Sequence, residues 1–81
     1  MEGTREDIFE KVADILVEQL EVEKGNIEDS TDIVVDLGAD SLDVVDIVQT
    51  LEEEFEIKVP NAEIEHLKTV GDIVYYIENN I

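Results

Sequence analysis

The stretch DSLDVVDIVQTLEEEFEI, residues 40–57, decides the fold, because its apolar residues recur with the period of an α-helix. Wound at about 100° per residue, five of them fall on one face: Val44, Ile47, Val48, Leu51 and Phe55. Either Asp40 or Ser41 caps the N-terminus, and Asp43 lies in the first turn, where the helix dipole favours a carboxylate. The stretch therefore predicts an amphipathic helix with one buried face.

A second group of side chains lies on the opposite side of this helix. Its apolar members are Leu42 and Val45, and its polar and acidic members are Asp46, Gln49, Glu52 and Glu53. Singly exposed apolar side chains are ordinary on protein surfaces, and these two can simply be solvated. Their adjacency, the carboxylates around them and the neighbouring Ser41 favour a recognition surface instead.

The segment before this helix divides into a first helix and a long connection. Residues 4–20 open with Thr4 and Asp7 at the spacing of a capping box. They continue with an apolar stripe made of Ile8, Val12, Leu16 and Leu20. We expect this helix to end near Gly25. Residues 22–39 show no sustained period, and we expect their apolar side chains to hold them to the core: Ile27, Ile33, Val34 and Leu37.

The segment after residue 57 predicts two further helices. VPNAEIEHL, residues 59–67, contains a proline break, an Asn61 cap and a short third helix. TVGDIVYYIENNI, residues 69–81, repeats the capping-box spacing at Thr69 and Asp72 and then lines up an apolar face. We find no strand alternation, repeat or second domain. The chain is therefore predicted to be all-α, a single domain over residues 1–81 with three longer helices, one short helix and a long loop between helices 1 and 2.

Composition limits what the domain can bind. The 81 residues include 23 acidic and 5 basic ones, for a formal net charge of −18, and no cysteine. Nucleic acid is excluded as a partner, because its phosphates would be repelled. A docking partner should be basic, although such acidity can also serve solubility alone. With no apolar run of membrane-spanning length and no leader, we expect a soluble, cytoplasmic, monomeric chain that does not insert into membranes.

The hydroxyl of Ser41 has no catalytic setting in the sequence. GADSL, residues 38–42, differs from the G-x-S-x-G elbow of serine hydrolases, and the chain has a single histidine, His66. Carboxylates are poor bases for an unactivated hydroxyl at neutral pH. The acidic spacing around Asp36 and Asp40 also fails the calcium-loop pattern, so we predict no metal site. Ser41 is predicted to be a substrate of another enzyme.

Three motifs together resemble a known family. These are DLGADSLD at 36–43, the acidic helix that ends in LEEEFEIKVP at 51–60, and TVGDIVYYI at 69–77. They resemble the acyl carrier proteins of dissociated (type II) fatty acid synthesis over nearly the whole chain. The resemblance implies a right-handed four-helix bundle whose motif serine receives 4′-phosphopantetheine from coenzyme A. It further implies that the thiol of this arm carries growing acyl chains as thioesters, and that the chain is a carrier without enzymatic activity.

Carried over by position, the resemblance implies that Ser41 is the attachment site, with Asp40 and Leu42 as its motif neighbours. It also implies a docking face for a phosphopantetheinyl transferase (holo-carrier synthase) and for fatty acid synthesis enzymes with basic patches: Leu42, Asp43, Val45, Asp46, Gln49, Glu52 and Glu53. Gln49 stands where the family often has an apolar residue, and Val35 where a polar one is expected. These departures leave partner preference open.

An attached acyl chain would gain from an apolar seam between the helices. The β-branched residues of the second helix and the later helices favour such a seam, lined by Val44, Val48, Ile64, Ile73 and Tyr76. Burial there would shield the chain and its thioester from water. A seam that must open to admit the chain also allows release.

Two other readings of the same residues stay open. A polyketide, peptidyl or D-alanyl carrier shares the bundle and the modified serine, although the D-S-L context and the acidity speak against it. An acidic helical adaptor or a calcium-responsive protein would explain the charge and the exposed Leu42 and Val45 without any cofactor. Transfer of a phosphopantetheinyl unit to the chain would separate the carriers from the adaptor.

Overall fold

The computed structural model describes residues 4–81, and it is helical. Its elements are α1 (Arg5–Leu20), a single 3₁₀ turn (Lys24–Asn26), α2 (Ser41–Phe55), α3 (Asn61–Ile64) and α4 (Val70–Glu78). Residues 4–81 contain no strand beyond one isolated bridge between Asp32 and Thr69. The predicted fold class is confirmed, with three longer helices, one short helix and a long loop between α1 and α2. Residues 1–3 of the predicted domain lie outside the described part of the chain.

Capping boxes fix where the three longer helices begin. Thr4 Oγ1 accepts a hydrogen bond from the N–H of Asp7 at 3.1 Å, and Thr69 Oγ1 accepts one from Asp72 at 3.0 Å. In each box the carboxylate of the third residue accepts a bond from the N–H of the capping residue. Both boxes were predicted from their spacing and are confirmed. The predicted Asn61 cap of α3 is wrong, because Asn61 is the first helical residue and Pro60 precedes it without a side-chain cap.

One apolar core holds the helices together. α1 lies against both α2 and α4. The buried face of each helix repeats every three or four residues: Ile8, Val12, Ala13 and Leu16 on α1, Ile47, Val48, Leu51 and Phe55 on α2, and Val70, Ile73, Val74 and Ile77 on α4. Val44, predicted on the same face of α2, is half-buried at its margin.

Two helices end on glutamates with left-handed backbone. Glu21 follows α1 with φ 56° and ψ 44°, and Glu56 follows α2 with φ 55° and ψ 48°. The expected end of α1 near Gly25 is therefore wrong by several residues, because Glu21 takes the left-handed conformation that glycine usually supplies. Gly25 lies instead within the 3₁₀ turn.

Glu56→Gly is expected to stabilise the fold by about 1 kcal/mol, because a side chain in the left-handed region is strained and glycine is not. For a domain of this size the melting temperature should rise by about 4–8 °C. The control is Glu56→Gln, which removes the same charge and keeps the strain. If the two variants melt at the same temperature, any increase over the unmodified sequence comes from the loss of charge, and the explanation by backbone strain is contradicted.

The loop between α1 and α2 is fastened to the start of α4 by three backbone hydrogen bonds. The N–H of Ile33 donates to the carbonyl of Lys68 at 3.0 Å, the N–H of Val70 to Thr31 at 2.9 Å, and the N–H of Gly71 to Asp29 at 2.8 Å. A Cβ at position 71 would lie 3.0 Å from the carbonyl oxygen of Asp29. Glycine at the start of α4 therefore allows the two backbones to approach.

Apolar side chains hold the same loop to the core, as predicted for three of four positions. Ile27 and Ile33 are buried, and Leu37 is half-buried against the core. Val34 was expected to join them, and this is wrong, because its side chain is 50% exposed. A turn that begins at Asp32 directs residues 34–36 outward, as described below.

Candidate functional site

Ser41 is exposed at the first position of α2. The three residues before it, 38–40, fix its position. Ala39, two residues earlier, is buried, and its N–H donates to the carbonyl of Ile33 at 3.0 Å. Gly38 has φ +78°, a conformation that residues with a side chain rarely adopt. The chain therefore turns at Gly38, anchors at Ala39 and presents Ser41 to solvent.

The carboxylates beside Ser41 are used to begin the helix. Asp40 Oδ1 accepts from the N–H of Asp43 at 2.9 Å, and Asp43 Oδ2 accepts from the N–H of Asp40 at 3.2 Å. The sequence left Asp40 and Ser41 as alternative caps, and the structure selects Asp40. The N–H groups of Ser41 and Leu42 belong to the first turn, which has no intrahelical acceptors, so they remain able to donate to an anion.

Neither a catalytic base nor a metal cage accompanies Ser41 in the described chain. His66 is exposed beyond the end of α3, and its backbone N–H donates to Glu63. Within residues 4–81, no three histidine, aspartate or glutamate side chains converge closely enough to hold a metal ion. In the same range, no helix is long and apolar enough to cross a bilayer.

The predicted docking face on α2 is largely open to solvent. Leu42 is 73% exposed and Val45 is 42% exposed, and Asp46, Gln49 and Glu53 are exposed beside them. Neither residue belongs to the buried face of α2, which is formed by Ile47, Val48, Leu51 and Phe55. An apolar pair surrounded by carboxylates can offer one partner both a hydrophobic contact and charge attraction.

Two other members of the predicted docking face have partners inside the chain. Asp43 forms the capping box with Asp40, and Glu52 is half-buried with its Oε2 accepting from the N–H of Val59 at 2.7 Å. The second contact could not be predicted from the sequence, because Val59 lies beyond the end of α2 and meets Glu52 only in the folded chain. Glu52 therefore holds the α2–α3 connection in place.

The five residues of the predicted seam all belong to the core or pack against it, and a seam lined by them together stays a prediction. Val48 and Ile73 are buried, while Val44, Ile64 and Tyr76 are half-buried and pack against the core. The hydroxyl of Tyr76 donates to the carbonyl of Lys58 at 2.9 Å and ties α4 to the α2–α3 connection. An acyl chain that enters the core here would have to displace the half-buried side chains.

Three of the five basic residues, Arg5, Lys11 and Lys24, lie on or just after α1 and pair with carboxylates. Arg5 pairs with Glu78 at 3.3 Å and with Asp29 at 3.6 Å, and Lys11 pairs with Glu54. Lys24 donates to Glu10 and Asp14, and these hydrogen bonds raise the pKa of Lys24 above its ordinary value of 10.5. No basic residue occurs between Lys24 and Lys58. Glu54 of α2 is paired with Lys11, whereas Asp46 and Glu53 take part in none of the ion pairs within residues 4–81.

A turn that the sequence analysis missed precedes the site, and we call residues 32–37 the Asp32 turn. Asp32 Oδ1 accepts from the N–H groups of Val34 and Val35, both at 2.8 Å, and Asp36 Oδ2 accepts from the N–H of Asp32 at 2.8 Å. Val35 is 78% exposed at its apex. An aspartate that bonds the backbone two residues on is a known turn former, and this signal could have identified the turn.

Comparison with known proteins assigns a family to this arrangement. The family described as "Phosphopantetheine attachment site" matches residues 10–77. Two curated relatives named acyl carrier protein are similar over most of the chain. The one from Thermotoga maritima is 47% identical over 79 residues, covering 98% of each chain. The one from Wolinella succinogenes is 49% identical over 73 residues, covering 90% of this chain and 96% of the relative.

A solved structure shows the same architecture. The acyl carrier protein from Enterococcus faecalis, described for its high thermal stability, superposes with a TM-score of 0.84 at 37% identity. The match covers 98% of this chain and 100% of that one. Fold and sequence therefore agree on one family.

Proposed function

The chain belongs to the acyl carrier protein family, and from that premise we propose that Ser41 is the residue to which 4′-phosphopantetheine is attached. The chain is a carrier of acyl groups in fatty acid synthesis and not a catalyst. The observation that carries the proposal is the exposed hydroxyl of Ser41 at the start of α2, fixed by buried Ala39 and the Asp40 cap. When attached, the group supplies a thiol that holds acyl chains as thioesters.

The residues around Ser41 suit a phosphodiester. In the attachment step the Ser41 oxygen bonds to the phosphorus of coenzyme A, and adenosine 3′,5′-bisphosphate leaves. The proton of the hydroxyl passes to a base on the transferase, since Asp40 and Asp43 are engaged with each other's backbone. The free N–H groups of the first turn and the positive end of the helix dipole favour the resulting anion.

We further propose that the transferase and the synthesis enzymes dock on α2 through basic patches. Leu42 and Val45 supply the apolar contact, and Asp46 and Glu53 supply exposed charge beside it. A carrier that visits several enzymes needs fast association and ready release, and electrostatic attraction at a small interface gives both. The cytoplasmic location and the monomeric state expected from the sequence stay predictions.

Intact mass spectrometry tests the attachment. The chain is incubated with coenzyme A and a phosphopantetheinyl transferase, and the unfragmented protein is weighed before and after. A gain of one phosphopantetheinyl unit, mapped by fragmentation to Ser41, is the expected result. An unchanged mass would contradict the carrier function and favour the acidic adaptor, and a unit mapped elsewhere would contradict the assignment of Ser41.

Asp46→Lys is expected to lower the kcat/KM of the transferase for this chain about five-fold at low ionic strength, and much less at high ionic strength, because salt screens exposed charges. The matched control is Glu18→Lys, the same change on the exposed side of α1. Glu18 lines a hollow with Glu54, which lies about 20 Å along α2 from Ser41. If kcat/KM fell equally in both variants, the loss would be an effect of net charge, and this would contradict a defined docking face.

A further inference from the structure

We propose that Val34 and Val35 form a contact site for the phosphopantetheinyl transferase, separate from the docking face on α2. The proposal rests on the proposed role of Ser41 as the attachment site. Val35 is the most exposed of the large apolar side chains in the described range at 78%, and Val34 is 50% exposed. Both lie in the connection that leads into Ser41.

The Asp32 turn holds these two valines in a fixed position. Asp32 Oδ1 receives both of their backbone N–H groups, and the carbonyl of Val34 accepts from the N–H of Gly38 at 3.1 Å. Ile33, directly before them, is buried in the core. Valine is also stiff about χ1, so the side chains lose little freedom when a partner covers them. The turn is therefore preorganised for contact.

The position of the turn selects the transferase among the enzymes that visit the carrier. The N–H of Gly38 donates to the carbonyl of Val34 at 3.1 Å, and Gly38 is three residues before Ser41, so the Cα of Gly38 lies at most about 11 Å from that of Ser41. An enzyme that modifies the Ser41 oxygen must bring its own active site to the helix start, and its surface then extends over the adjoining turn. An enzyme that acts on the thiol at the far end of the arm can dock on α2 without bringing its active site to the start of the helix.

The chemistry of the turn differs from that of α2. Asp32 Oδ1 and Asp36 Oδ2 accept backbone N–H groups within the turn, and Val34 and Val35 are the apolar side chains that the turn exposes. The partner should therefore carry an apolar hollow at the rim of its active site, beside the basic patch that meets α2. The strength of such an apolar contact does not depend on salt, whereas salt weakens the charged contact of Asp46.

The test compares transferase kinetics on full-length variants, with coenzyme A, at low and high ionic strength. Val35→Ser is expected to lower kcat/KM about five-fold at both ionic strengths, which corresponds to about 1 kcal/mol. Val35→Ile keeps an apolar, β-branched side chain and should load like the unmodified sequence. The matched control is Ile81→Ser, an equally apolar residue that is 52% exposed and lines a hollow with Phe55, about 20 Å along α2 from Ser41.

The outcomes separate this proposal from the proposed function. A salt-independent loss confined to Val35→Ser supports it, with melting temperatures showing that all variants are folded. Normal loading of Val35→Ser, or equal losses in Val35→Ser and Ile81→Ser, overturns the contact at the turn and leaves the attachment at Ser41 intact. Failure of the unmodified sequence to gain any mass overturns the attachment at Ser41 and, with it, this proposal.

Discussion

Ser41→Ala is expected to abolish phosphopantetheine attachment completely while leaving the helices in place. The hydroxyl supplies the oxygen that bonds to phosphorus, and alanine has none. The fold should survive because the cap of α2 is Asp40, whose bond to the N–H of Asp43 does not involve Ser41. The measurement is intact mass after incubation with coenzyme A and the transferase, together with circular dichroism of the variant.

Ser30→Ala is the matched control for this experiment. Ser30 and Ser41 are the two serines of the chain, and Ser30 is also exposed, in the loop between α1 and α2. Its variant should gain one phosphopantetheinyl unit like the unmodified sequence. Modification of the Ser41→Ala chain, at Ser30 or elsewhere, would refute the assignment.

The octanoyl-loaded form is expected to melt higher than the form that carries the unacylated arm. Six buried methylenes at about 0.8 kcal/mol each give an upper bound of about 5 kcal/mol, reduced by the cost of opening the packed seam. A net gain of about 1 kcal/mol would raise the melting temperature by about 4–8 °C. The half-buried Val44, Ile64 and Tyr76 are the side chains that move most readily, because they lie at the rim of the core.

Val44→Phe should remove this difference, because the larger ring fills the rim of the seam. Val45→Phe is the control, since it adds the same volume one residue further along α2 on a side chain that is 42% exposed. Both variants keep the Ser41 hydroxyl, and the octanoyl and unacylated forms of each are compared after loading to completion. If the octanoyl and unacylated forms of the unmodified sequence melt at the same temperature, the acyl chain stays outside the core. The prediction of a seam would then be wrong.

The helices and their beginnings could be predicted from the sequence because they depend on local chemistry. Apolar spacing defines the buried faces of α1, α2 and α4, and the pairs Thr4/Asp7 and Thr69/Asp72 define two starts. The exposure of Leu42 also followed from helical geometry alone. The family resemblance carried by DLGADSLD was confirmed as well, although the role of Ser41 and of the docking face stays a proposal.

The features that the sequence did not predict depend on contacts between distant residues or on unusual backbone. α1 ends at Leu20 because Glu21 has a left-handed backbone, and a glutamate in a sequence does not indicate that conformation. The bond from Val59 to Glu52 withdraws one carboxylate from the docking face. The requirement for Gly71 comes from the carbonyl of Asp29, more than forty residues earlier in the chain.

The fastening of the loop to the start of α4 has a consequence for the order of events during synthesis. Thr31 and Ile33 have their backbone partners at Val70 and Lys68, and the carbonyl of Ile33 accepts from the N–H of Ala39, two residues before Ser41. These pairings are distant in sequence, so they form only after the later segment has left the ribosome. A nascent chain that ends before residue 68 lacks these partners, so the loop ahead of Ser41 is held only by its own local hydrogen bonds. The set of backbone contacts that fixes this loop is therefore complete only once the last helix has folded.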